Sequence, residues 1–236
     1  MQTANKFTFN WLGFAILVYI LLKSSFGQGT GFQFYLMLAI VVLLHELGHT
    51  AMGLLFKCRI REVQLFFISV ISYKMTDDPH APAWKRIRWT LGALPFGGVT
   101  IFDNQNPTAG EYGLSTRPMW QQLLISGAGI MVNLLLFAIL YVCEENLPLS
   151  NDAYATTVLL SRLSLILAIL NLIPVYPLDG GAMLFQLIQL VTGEKLSQKF
   201  MTTMSYIGFA FIIVFFFIYT DWMDPLFSWI LSNIAR

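Results

Sequence analysis

The apolar run at residues 32–56 constrains this chain most, because it carries ionisable groups in its middle. A bilayer crossing needs ~20 mostly apolar residues, and this run supplies them. Inside it stands the series His45-Glu46-Leu47-Gly48-His49. A glutamate at membrane depth costs free energy and marks a working site rather than filler. Histidines at i and i+4 share one face of a helix, one turn apart. That spacing lets two imidazoles hold one zinc ion, with the intervening Glu46 placed to take a proton from bound water.

Composition extends the membrane reading to the rest of the chain. Of 236 residues, 56% are apolar and 11% charged, against roughly 45–50% and about 25% in soluble domains. Such a chain is too apolar for water and too rich in burial potential for disorder. A net charge of +1 excludes a nucleic-acid footprint. The expected fold is an all-α polytopic membrane protein, because an open sheet strands backbone groups in lipid. Residues 1–236 read as a single integral-membrane domain with a core at about 32–185.

About five to six transmembrane helices are expected. Their runs are 9–22, 32–56, 121–143, 157–175 and 204–219, with 222–234 as a short interfacial or sixth span. No small-residue cleavage site follows the first run, so it reads as a retained span and not a signal peptide. Most Lys and Arg residues sort to one side if the amino terminus is cytoplasmic, in accord with the positive-inside rule. The run Lys85-Arg86-Ile87-Arg88 reads as an inside anchor. Residues 63–73 are β-branched and aromatic, and 91–102 contain Pro95, Gly97 and Gly98. Both are expected as short membrane-associated strands on the cytoplasmic side, lining a wet cavity. Cys58 and Cys143 have no C-x-x-C spacing, which argues against a disulfide framework or thiolate metal site.

A catalytic zinc usually has three protein ligands and one open position. His80 is the remaining histidine, in the polar loop Asp77-Asp78-Pro79-His80, and reads as a solvated residue. The stronger candidate is Asp179, where Pro174, Pro177, Gly180 and Gly181 break a helix. A broken helix can turn a carboxylate toward a cavity without stranding its backbone.

Together, the His45-to-His49 motif and the series Asn171…Pro174…Pro177-Leu178-Asp179-Gly180-Gly181 resemble the site-2 protease family of intramembrane zinc metalloproteases. Pro95-Phe96-Gly97-Gly98-Val99 and Ala128-Gly129-Ile130-Met131-Val132-Asn133 resemble two weaker signatures of that family, with Ile130 in place of its usual proline. The resemblance spans about residues 40–185. It implies that His45, His49 and Asp179 bind one Zn2+ and that Glu46 is the catalytic base. It further implies substrate contacts by Asn171, Asn133, Gly97 and Gly98. The length suggests a minimal member without a PDZ-like or CBS-like domain.

The expected activity is hydrolysis of a peptide bond in or near a transmembrane segment. The expected partners are the lipid bilayer, a membrane-embedded peptide or single-span protein as substrate, and an upstream site-1-type protease. Regulated intramembrane proteolysis, clearance of remnant signal peptides and peptide maturation all fit. Ten residues separate Glu46 from Phe56, or ~15 Å along a helix. The active site is therefore expected inside the bilayer, nearer the cytoplasmic face of a plasma membrane. Three other classes remain open: an inactive peptide-binding relative, a metal transporter or sensor, and another zinc enzyme such as a prenyl-protein peptidase.

Overall fold

Long apolar helices and a folded-back sheet share the molecule, and each follows from local sequence. The computed structural model describes residues 7–25, 30–104, 110–194 and 196–218. In order, the elements are β1 (Phe7–Phe9), α1 (Trp11–Ser25), α2 (Thr30–Leu55), β2 (Ile60–Lys74), β3 (Arg88–Phe102), α3 (Met119–Asn146), α4 (Asn151–Leu172), α5 (Asp179–Thr192) and α6 (Gln198–Ile218). Short 3-10 turns precede β3 and α3.

Among the described residues, three helices are long and apolar enough to cross a membrane: Phe32–Leu55, Met119–Asn146 and Asn151–Leu172. Clear stops bound them. Pro118 stands just before α3, with extended backbone at its cap. Ser150 caps α4 by accepting from the Ala153 amide. Pro174 forbids continuation of α4, which ends at Leu172 rather than at the expected Val175. Asp179 then opens α5 as a separate helix, closed by Gly193 in the left-handed region. The expected run 222–234 lies outside the described residues.

The sheet is larger than the two short strands expected, because both strands double back. In β2, Phe66 and Ile68 take positive φ values of 68° and 57°. Reversal there lets residues 62–65 and 71–74 pair with the same stretch of β3, since Glu62 and Lys74 both face Arg88. Gly92 lies against this turn, where a Cβ would strike the Phe66 and Phe67 carbonyls. Residues 62–65 also pair antiparallel with 98–101, through Val63↔Thr100 and Leu65↔Gly98. β1 adds to the far side, through Phe7↔Tyr73 and Phe9↔Ile71. Among the described residues, the 98–101 run is paired on one side only.

α2 sits at the centre. It packs against α1, α3, α4 and both long strands. Beneath the sheet, Ile60, Val63 and Ile87 form a core with Leu54, Trp89 and Phe102 packed on it. Beside that core, Glu111 takes both Arg86 guanidinium nitrogens, at 2.6 and 3.2 Å, and Arg59 at 3.2 Å. Arg86 is therefore turned inward, only 6% exposed, and spends its charge on Glu111 within the protein. Burial pushes the neighbouring Cys58 thiol up, which keeps it protonated and unreactive.

Candidate metal centre

One helical turn brings His45 and His49 together, with ring centroids 4.8 Å apart. Asp179 arrives from the first turn of α5, where the helix dipole favours a carboxylate. Its position needs the broken segment before it. A Cβ on Gly180 would strike the Leu172 and Ile173 carbonyls, and one on Gly181 the Val175–Tyr176 backbone. Only glycine lets this turn close against the end of α4.

The three side chains fit a single metal ion. Asp179 Oδ2 lies 3.0 Å from His45 Nε2 and 3.2 Å from His49 Nε2. The two Nε2 atoms are 3.2 Å apart. Three ligands each ~2.0–2.2 Å from a tetrahedral zinc would stand ~3.3 Å from one another. The observed triangle is close to that. Asp179 Oδ2 is buried with no hydrogen-bond partner. Three lone-pair atoms converging on one point are best satisfied by a cation. His45 and His49 are 4% and 7% exposed, so their rings are shielded from solvent.

Glu46 meets the sheet through Thr100 and Gly98 and is 3% exposed. Thr100 donates its hydroxyl to Glu46 Oε2 at 2.7 Å. Gly98 lies on the same face of β3, and a Cβ there would meet Glu46 Cγ and Oε1 at 2.7 and 2.8 Å. The missing side chain at Gly98 is thus the space the Glu46 carboxylate occupies. On the opposite side, a Cβ on Gly129 of α3 would strike both Nε2 atoms. Gly48 has a related reason: its Cβ would meet the Ala128 carbonyl at 2.8 Å, so it lets α2 and α3 approach closely.

The remaining expected residues are placed less directly. Asn133 is fully enclosed, with its amide 3.1 Å from His45 Nδ1. Asn171 is half-buried and turns its amide nitrogen back to the Leu167 carbonyl of its own helix, at 3.0 Å. Gly97 has φ of 113°, which favours glycine, and sits at the bend before the 98–101 run. His80 is exposed in its loop, its amide bonded to Asp78, and takes no part in the cluster. Two participants were not expected. Thr100 could have been found from its place two residues after Gly98 on a strand. The Ile125 carbonyl, 2.7 Å from His49 Nδ1, leaves no trace in side-chain sequence.

Comparison with known proteins follows the same lines. A zinc metalloprotease of Methanocaldococcus jannaschii is 26% identical over 165 residues, or 70% of this chain and 37% of that protein. Stage IV sporulation protein FB of Bacillus subtilis is 27% identical over 152 residues, or 64% and 39% respectively. The chain thus matches little more than a third of these relatives' own lengths. A solved structure, the site-2 protease from Methanocaldococcus jannaschii, superposes with a TM-score of 0.57 at 21% identity. That match covers 97% of this chain and 90% of the other, and shows a shared fold. Residues 33–148 and 147–215 match peptidase family M50, and on that coverage the chain belongs to this family.

Proposed function

We propose that the protein is a zinc metalloprotease that hydrolyses a peptide bond at membrane depth. The observation that carries this reading is the placement of Glu46. Its carboxylate stands beside a three-ligand cluster, fixed by Thr100 and accommodated by Gly98. A metal-binding scaffold or transporter has no use for a buried base held in that way. When bound, the zinc ion supplies Lewis acidity and a water whose pKa falls to ~7. Glu46 would serve as the base, holding a proton on its carboxylate and passing it to the leaving amine. Thr100 keeps the carboxylate aimed through both transfers. His45, His49 and Asp179 hold the ion.

A helical substrate must unwind before its amide can be attacked. The 98–101 run, paired on one side only, is suited to hold an extended segment by strand addition. Gly97, where a Cβ would meet nothing within 4 Å, leaves room for that backbone beside the run. Beside it, a cavity of about 280 Å³ is lined by Leu43, Glu46, Leu65, Trp89 and Leu91. Its lining suits an apolar side chain next to the scissile bond. We place the substrate among membrane-embedded peptides and single-span proteins, after an upstream cut by a site-1-type protease. Five to six spans, a cytoplasmic amino terminus and a plasma-membrane location complete the reading.

Two measurements test it. Zinc per chain in detergent-purified protein is expected near one and lost in Asp179→Ala. Glu46→Gln is expected to keep zinc and lose ~10²–10⁴-fold in turnover of a membrane-embedded substrate, the contribution of a general base. Turnover near the wild-type rate in Glu46→Gln would remove Glu46 from the mechanism. Zinc-free wild type after metal-replete growth would favour the inactive peptide-binding relative.

A further inference from the structure

The two histidines are oriented by different kinds of group. The Nδ1 of His49 faces the Ile125 carbonyl at 2.7 Å. A carbonyl can only accept, so His49 carries its proton on Nδ1 and leaves the Nε2 lone pair free for a cation. The Nδ1 of His45 faces the Asn133 amide at 3.1 Å. An amide can serve either way, since a half-turn of its terminal torsion exchanges donor and acceptor. With Asn133 Nδ2 toward the ring, His45 must keep its proton on Nε2, where it blocks the metal position. With Asn133 Oδ1 toward the ring, Nδ1 donates and the Nε2 lone pair joins the cluster.

Asn133 is 0% exposed, and its Oδ1 has no hydrogen-bond partner. A residue kept only for packing would do better as leucine, because an unpaired buried amide end destabilises the fold. Its backbone is also tied down: Ser164 of α4 donates its hydroxyl to the Asn133 carbonyl at 2.8 Å. Ile125, Gly129 and Asn133 stand four residues apart on one face of α3. The middle one has no side chain and lies against both Nε2 atoms. The outer two each address one Nδ1.

We propose that Asn133 is a positioning residue of the metal centre, whose side-chain oxygen accepts the His45 Nδ1–H and thereby aims Nε2 at the cation. This role lies beyond the zinc-ligand and base assignments, and it replaces the substrate contact that the sequence pattern suggests for Asn133. It rests on the metalloprotease reading only in requiring that His45 bind zinc.

The test is zinc affinity, measured by chelator competition on detergent-purified wild type, Asn133→Leu and Asn133→Asp. Leucine has similar size and no acceptor, whereas aspartate is an acceptor only. Asn133→Leu is expected to bind zinc ~10–100-fold more weakly, the usual cost of losing an orienting partner. Its zinc-stripped form is expected to melt at or above the wild-type temperature. Asn133→Asp is expected to restore affinity. In zinc-loaded wild type with ring-labelled histidine, the His45 Nδ1–H resonance is expected at a hydrogen-bonded shift that Asn133→Leu abolishes. Wild-type affinity in Asn133→Leu would overturn the assignment. So would a zinc loss matched by a lower melting temperature of the stripped protein, which would mark a structural role. A His45 Nδ1–H without a hydrogen-bonded shift in wild type would overturn it whether or not the variants fold. Zinc-free wild type would instead sink the metalloprotease reading beneath it.

Discussion

On one side of Glu46 lies α3, where Ile125, Gly129 and Asn133 recur every four residues; on the other lies β3, where Gly98 and Thr100 are two apart. Each wall has a bare position against the site and a polar group beside it. Gly129 clears the histidine rings, and Gly98 clears the Glu46 carboxylate. The helical wall therefore governs the metal, and the strand wall governs the base. The two functions are separable by mutation, although His45, Glu46 and His49 share one turn of α2.

The largest break in this comparison is Gly129→Val. A branched side chain there would fill the space of both Nε2 atoms, and packed helices cannot part cheaply to make room. Zinc affinity is expected to fall by at least the ~100-fold that follows loss of an orienting partner, with activity falling in step. Elemental analysis of the purified variant checks it. Zinc at the wild-type level would show that α3 does not form the back of the site.

Gly98→Ala should act on the opposite wall and more mildly. The added Cβ would fall 2.7 Å from Glu46 Cγ and 2.9 Å from the Gln64 carbonyl of the paired strand, so the carboxylate must swing aside and the strand pair must give by a few tenths of an ångström. Zinc content is expected to stay near one per chain while turnover falls ~10²-fold, the cost of misplacing a reacting group by about 1 Å. Measuring both on one preparation separates the walls. Joint loss of zinc and turnover would mean that the walls are mechanically coupled.

The two walls also differ in how much of them sequence displays. Helical spacing places His45 and His49 on one face, and the Pro174–Gly181 series places Asp179 at a helix break. Short-range rules suffice for these residues. Asn133 is visible as a polar residue in an apolar helix, but its partner lies 88 positions away and depends on how α2 and α3 pack. The sheet is hidden further. Its doubled register arises from left-handed backbone at Phe66 and Ile68, residue types that seldom adopt it. Strand alternation puts Thr100 on the face of Gly98, but without that turn nothing in residues 91–102 says that this face meets Glu46. The buried Arg86–Glu111 pair is concealed for the same reason, since a basic run looks alike whether it meets lipid headgroups or a carboxylate.

Thr100→Val sharpens the comparison with the smallest expected effect. Valine keeps the β-branched shape and strand preference of threonine and removes one hydroxyl. The lost hydrogen bond to a charged group is worth about 1.5–3 kcal/mol in favourable settings. Part of that returns, because nothing forces the carboxylate out of the space left by Gly98. Turnover is accordingly expected to fall ~10-fold, equivalent to about 1.4 kcal/mol. The Michaelis constant should hold, since the hydroxyl faces the base rather than the open edge of the strand. Zinc content should hold as well, because Thr100 touches no ligand. Thr100→Ser, which restores the donor, should recover most of the rate. A change confined to the Michaelis constant would instead make Thr100 part of the substrate edge, with Glu46 held by Gly98 alone.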